Sequence, residues 1–171
     1  WEYLGKMGFI STASWPNFDT KWINDTIERQ WSCLDTLKED IDNIQHLIQL
    51  PKIAEIQIIV AAEWKNGFTN SLLQWVKEGQ DFGDLMKNAM TNTAWKPYGK
   101  QIKGYIEKIA KNPGKYQVPF ADQELEWEFF VQNTSLLENA FNTKINILKE
   151  LETENKKRDQ ALPGKPSIVI Q

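Results

Sequence analysis

The pattern of apolar positions reads most clearly as a β-strand in Ala54–Ala62. Ile56, Ile58 and Val60 fall on one face of an extended segment, and Ile59 and Ala61 on the other. Both faces are apolar, so the segment is expected as a β-strand covered on both sides. A strand depends on neighbours to satisfy its N–H and C=O groups. Two other stretches carry a pattern that could supply them, Thr143–Lys149 and Pro166–Gln171, both near the C-terminus. The expected fold is α+β, with several helices packed on a small three-stranded mixed sheet built from these segments.

Between and before the strands the period changes to three and four. Ile23, Ile27, Trp31, Leu34, Leu37, Ile41, Ile44 and Ile48 line one side of a helix expected over about Lys21–Leu50. Asp19 or Thr20 would cap it and Pro51 would end it. A second helix is expected over Glu63–Glu78, with Phe68, Leu72, Trp75 and Val76 inward and Gly79 as its stop. Asp81 would cap a third, Phe82–Met90. Lys96–Lys111 reads as a fourth, with Pro97 in its first turn and Ile102, Tyr105, Ile106 and Ile109 inside. Asn112-Pro113-Gly114 breaks it. Asp122 would cap a fifth running to about Phe141, burying Leu125, Phe129, Leu136, Leu137 and Ala140, with Asn142 in a left-handed turn. Glu150–Gly164 is charged and polar and reads as a mobile loop or hairpin arm.

Charge sharpens the picture more than composition does. The net charge of the 171 residues is −3, which weighs against a general nucleic-acid binder. The charge is segregated, however. Lys87–Lys115 holds seven lysines against one acid, Glu107, whereas Tyr116–Glu154 holds eight acids against two lysines. Lys96, Lys100, Lys103 and Lys111 form a stripe on the fourth helix. An ordinary solvated helix face usually carries Glu/Lys pairs four residues apart, and acids are nearly absent here, Glu107 being the one. The stripe is therefore a candidate for contact with phosphate.

Other chemistry is excluded or weak. One cysteine (Cys33) and one histidine (His46) exclude an internal disulfide framework and a Cys/His zinc site, and fit a reducing cytoplasm. Cys33 reads as a packed thiol. No phosphate-cradling glycine loop, nucleophile–base set or metal cluster is present, so no catalytic, cofactor-binding or metal residue is assigned. The eight tryptophans are expected mainly in helix packing, with base stacking the lesser reading. No apolar run has the length of a membrane span, and the first ten residues do not read as a secretory leader. Trp1–Leu4 reads as the last turn of a helix closed by Gly5, as though the chain were a piece of a longer one.

Several motifs together carry a family resemblance. Trp1-Glu2-Tyr3-Leu4-Gly5, followed by the connector Gly8–Pro16 ending in Trp15-Pro16, resembles the exit from the anticodon-binding helix bundle of class I aminoacyl-tRNA synthetases. The rest resembles the C-terminal domain of archaeal-type leucyl-tRNA synthetase. The matching features are the long acidic and apolar helix, the strand leading into Ala62-Glu63-Trp64-Lys65, and the Asp81-Phe82 turn. The basic helix at Tyr98-Gly99-Lys100 and the ending Gln160-Ala161 … Lys165-Pro166-Ser167-Ile168-Val169-Ile170-Gln171 match as well. The Trp-Pro connector is shared within the isoleucine/leucine/valine group, and the closing pattern is the part more specific to leucine.

The resemblance implies a division at residue 16, with residues 17–171 forming a tRNA-binding domain. It implies a parent leucine–tRNA ligase that uses ATP and Mg and acts in the cytoplasm, with its catalytic residues outside this segment. The implied partners are tRNA(Leu) and the rest of the synthetase chain, not DNA or a membrane. The family's last residues reach the tip of the long variable arm, which points to Ile170 and Gln171. The family often ends in an acid, and the Gln171 amide here can both donate and accept. Lys96, Lys100, Lys103 and Lys111 would follow the RNA backbone. The strand Ala54–Ala62 would touch no RNA and would hold the tail beside the basic helix. The competing readings are the equivalent region of another synthetase in the group, a non-catalytic relative that binds tRNA, and a protein-interaction module.

Overall fold

The computed structural model describes Phe9, Lys21 and residues 23–48, 53–116 and 118–171. The expected turn at Trp1–Leu4, the connector to Pro16, the caps at Asp19 or Thr20 and the stop at Pro51 lie outside these residues. Helix α1 (Asp25–Ile48) leads to strand β1 (Glu55–Val60). Helices α2 (Glu63–Lys77), α3 (Phe82–Thr91), α4 (Gly99–Lys111), α5 (Gln123–Gln132) and α6 (Thr134–Phe141) follow, then β2 (Lys144–Lys149) and β3 (Ser167–Ile170). The three expected strands form one mixed sheet in the order β2-β1-β3. β1 is central, parallel to β2 and antiparallel to β3. A parallel neighbour requires a crossover, and here five helices make it.

Two apolar cores result. In the first, Leu34, Leu37 and Ile41 of α1 meet Ile56, Ile58 and Val60 of β1, Phe130 of α5 and Leu137 of α6. Only the middle of the expected α1 stripe is buried, and Ile23, Ile27, Trp31 and Ile48 are exposed. In the second, Phe68 and Leu72 of α2 pack with Leu85 of α3, Ile102, Ile106 and Ile109 of α4, and Leu162. An aromatic cluster adjoins it. Trp64 stacks on Tyr98 at 4.4 Å, and Trp95 meets Phe68 and Trp75 edge-on. Trp31 packs edge-on against Phe129, and Lys149 lies over Trp127. The five described tryptophans are all engaged within the protein.

Local signals set the helix ends. Asp81 accepts from Asp84 N and Asp122 from Leu125 N, each at an N-terminus. Asn24 accepts from Thr26 N and Ile27 N ahead of α1. Gly79 and Asn142 take positive φ where α2 and α6 stop.

The fifth expected helix differs from the expectation. It breaks at Asn133 into α5 and α6. The Asn133 amide bonds the Phe129 carbonyl at 2.8 Å and Thr134 Oγ1 bonds that of Phe130, competing with the regular ladder. The buried face is also rotated. Leu125 (48 % exposed), Leu136 (47 % exposed) and Ala140 face solvent, while Glu126 and Phe130 point inward.

Glu126 is fully buried. Its Oε1 accepts from Gly164 N at 3.0 Å, and Oε2 has no partner among the described residues. Burial pushes its pKa from 4.5 up to about 8, against the Gly164 hydrogen bond, which lowers it. Between these two pH values the folded state holds a proton that the unfolded state releases, so stability falls as pH rises. The slope reaches about 1.4 kcal/mol per pH unit. Glu126→Gln keeps an acceptor for Gly164 and removes the titration. Urea unfolding at pH 5 and pH 8 should show a smaller pH dependence in the variant; equal pH dependence in both proteins would contradict the assignment.

Candidate nucleic-acid interface

The junction between β1 and α2 organises the segments around the candidate surface. Each residue of the Ala61–Lys65 stretch, Trp64 apart, ties a distant segment through a polar group. Ala61 O accepts from Gln123 Nε2 at 2.7 Å, and Glu63 Oε2 accepts from Gln123 N at 2.8 Å, which docks the start of α5. Ala62 N donates to Glu150 Oε2 at 2.7 Å. Lys65, only 1 % exposed, pairs with that same carboxylate oxygen at 2.9 Å. Its Nζ also donates to the carbonyls of Asp159 (3.1 Å) and Ala161 (2.9 Å). Burial lowers the Lys65 pKa, and the Glu150 carboxylate acts in the opposite direction.

Of the two readings of Glu150–Gly164, a mobile loop or a hairpin arm, the contacts favour the second, because this knot anchors the segment and its end closes in a tight hairpin. The segment forms short 3-10 turns at Glu150–Glu152 and Lys156–Gln160, then packs Ala161, Leu162 and Pro163 inside. Leu162 and Lys165 exchange backbone hydrogen bonds around Gly164, whose φ of 71° suits glycine. The composition of the segment is polar, but one buried ammonium group holds two of its carbonyls.

The tail is held equally firmly. β3 pairs Ile170 with Ile56 and Ser167 with Ile59. Gln171 O accepts from Ala54 N at 2.8 Å, and Gln171 N donates to Glu55 O at 2.9 Å. Ile170 packs against the first core, whereas Gln171 is exposed. Of the two tail residues, Gln171 therefore presents its side chain to solvent and Ile170 is largely a packing residue.

Lys96, Lys100, Lys103 and Lys111 are all exposed. Lys96 belongs to a 3-10 turn, Lys96–Tyr98, that precedes α4, so the basic stripe begins on a separate element. Lys100 and Lys111 are three helical turns apart on one face, about 16 Å along the axis. Lys96, Tyr98 and Lys100 line an open concavity of about 500 Å³. The ion pairs found among the described residues fall elsewhere, so this face is left with its charge unneutralised. The member of the Lys87–Lys115 run that comes alongside β3 is Lys108, which shares a groove with Pro166, Ser167 and Ile168. It belongs to the basic run, but its position at the groove depends on tertiary packing.

Among the described residues, no acid–base or nucleophilic site emerges. Burial, reinforced by the charge of Glu126, pushes the Cys33 thiol up to about 11, which keeps it protonated. Among the described residues, no group of three His, Cys, Asp or Glu is placed to hold a metal ion, and no helix is long and apolar enough to cross a membrane.

No protein-family model matches the chain. Comparison with individual proteins shows it to be homologous, along its whole length, to a segment of aminoacyl-tRNA synthetases. The relatives are archaeal leucine–tRNA ligases. That of Archaeoglobus fulgidus is 31% identical over 168 residues, covering 98% of this chain. Those of Methanocaldococcus jannaschii and Pyrococcus furiosus are 30% and 29% identical and cover all of it. In each case the chain spans about 17% of the relative's length.

Proposed function

We propose that this chain is the tRNA-binding C-terminal module of a leucine–tRNA ligase, with residues 17–171 as the domain and residues 1–16 as the connector from the anticodon-binding bundle. Adenylate chemistry, with ATP and Mg, would belong to the rest of the synthetase. The observation that carries this reading is homology along the whole of this chain to a segment of leucine–tRNA ligases, in a stretch that holds Gln171 in place and has a basic face outside the ion pairs found among the described residues. RNA duplexes are contacted mainly through phosphates and shape, and unpaired loop bases through hydrogen bonds and stacking. The α4 face supplies cations for the first task. The Gln171 amide, on a backbone fixed by β1, supplies a donor and an acceptor for the second. β1 acts as scaffold and touches no RNA.

The test compares a tRNA carrying a long variable arm with one whose arm is shortened, using the full-length enzyme. The long-armed tRNA should bind at least tenfold more tightly, and Gln171→Ala should narrow that gap. Equal binding of the two tRNAs would overturn the assignment to arm recognition.

A further inference from the structure

A continuous furrow runs between α1 and the segment 163–168. It consists of three adjoining concavities. The largest, of about 340 Å³, lies beside Asp40, Asn43 and Ile44 of α1. A second, of about 190 Å³, lies beside Arg29, Ser32 and Cys33. A narrow one joins them, sharing Cys33, Thr36, Gly164 and Lys165 with the second and Asp40, Lys165 and Pro166 with the largest. Arg29 and Asn43 are fourteen residues apart on one helix, so the furrow extends about 20 Å.

Its lining is basic in a protein of net charge −3. Arg29 and Lys115 stand at one end, Lys165 in the middle, and Lys108 and Lys157 at the other. Asp40 is the single acid in the lining of the three concavities, and Lys165 engages it at 3.5 Å. The other four cations are exposed and none takes part in an ion pair found among the described residues. Ser32, Thr36, Asn43 and Gln160 add hydroxyl and amide groups. Lys108 is exposed overall, yet the packing around its stem, and then the charge of Lys165, lower its pKa. Five cations thus share the furrow with one carboxylate, Asp40, an excess of positive charge that an external polyanion would relieve.

We infer that this furrow is a second RNA track, seating the phosphodiester backbone of a strand between α1 and the C-terminal hairpin. Lys165 is its centre, Lys108 and Lys157 grip at one end, and Arg29 and Lys115 grip at the other. The inference rests on the reading of the domain as a tRNA binder and extends it, since none of these five residues belongs to the α4 stripe or the tail. The furrow also depends on the Lys65 knot, which fixes the turn bearing Lys157 and leads into the hairpin bearing Lys165.

The experiment measures tRNA affinity of the full-length enzyme at several salt concentrations. Replacing Lys108, Lys157 and Lys165 together by alanine should weaken binding at least tenfold and reduce the salt slope by about 2. Thermal unfolding should change little, because all three residues are exposed. Asp40→Asn should tighten binding two- to threefold by removing the one acid. Normal wild-type binding that the triple variant leaves untouched, in affinity and in slope, overturns the furrow alone. A wild type that does not bind tRNA overturns the functional reading and the furrow with it. Competition by polyglutamate as effective as by RNA of equal charge would identify the furrow as a seat for an acidic protein, against this inference.

Discussion

Lys65→Met should cost about 3–5 kcal/mol of stability, the largest effect expected of any single replacement in this domain. The reason is what the substitution leaves behind. Glu150 is almost fully buried and would keep only the Ala62 N–H as partner, while the carbonyls of Asp159 and Ala161 would lose theirs. A typical domain has only about 5–15 kcal/mol to lose. The damage should be uneven. Amide exchange should accelerate first across 156–166, whose attachment runs through Lys65, and β1 and β2 should stay protected longer. Adding Glu150→Gln to Lys65→Met should recover part of the loss, since glutamine still accepts from Ala62 without a buried charge. A single variant as stable as wild type, with residues 156–166 still protected, would refute the role given to this lysine.

A buried ion pair is weak grounds for net stability, because desolvation offsets much of the attraction. What Lys65 contributes is geometry. A polar, lysine-rich segment with little apolar surface of its own is held in one conformation, and that conformation places Lys157 and Lys165 along the same furrow as Lys108.

How much of this is legible in the sequence depends on the range of the interaction. The alternation of Ile56, Ile58 and Val60, the caps at Asp81 and Asp122, and the left-handed Asn142 are local signals, and the structure follows them. The features that sequence reasoning misses are set by partners far away. Lys65 falls in phase with Phe68 and Leu72 on the inner face of α2, and Glu126 in phase with Phe130 on α5. That phase is readable. A charged residue at an inward position nevertheless reads as solvated until its partners, Glu150 and Gly164, are known. Leu125 and Leu136 read as inward because they are leucines, although the phase set by Glu126 and Phe130 on α5, and by Leu137 on α6, puts them outside. The α4 stripe is visible because helical spacing suffices to place it. The furrow is not, because its five cations come from α1, α4, the 113–115 turn, the 156–160 turn and the hairpin.

The second large effect is on RNA affinity. Lys96, Lys100 and Lys103 lie on an exposed face without an acidic neighbour in an ion pair, so replacing all three by glutamate should leave folding nearly unchanged. Removing one lysine–phosphate interaction lowers the salt slope by about 0.7–0.9, and the introduced carboxylates add repulsion. Binding should weaken by about a hundredfold or more near 0.1 M salt, where screening extends over roughly 10 Å. The most direct measurement is therefore the dependence of tRNA affinity on salt for the full-length enzyme, with and without Lys96→Glu, Lys100→Glu and Lys103→Glu. A slope reduced by about 2–3, together with the loss of affinity, is the predicted result. Unchanged affinity and unchanged slope would contradict the account.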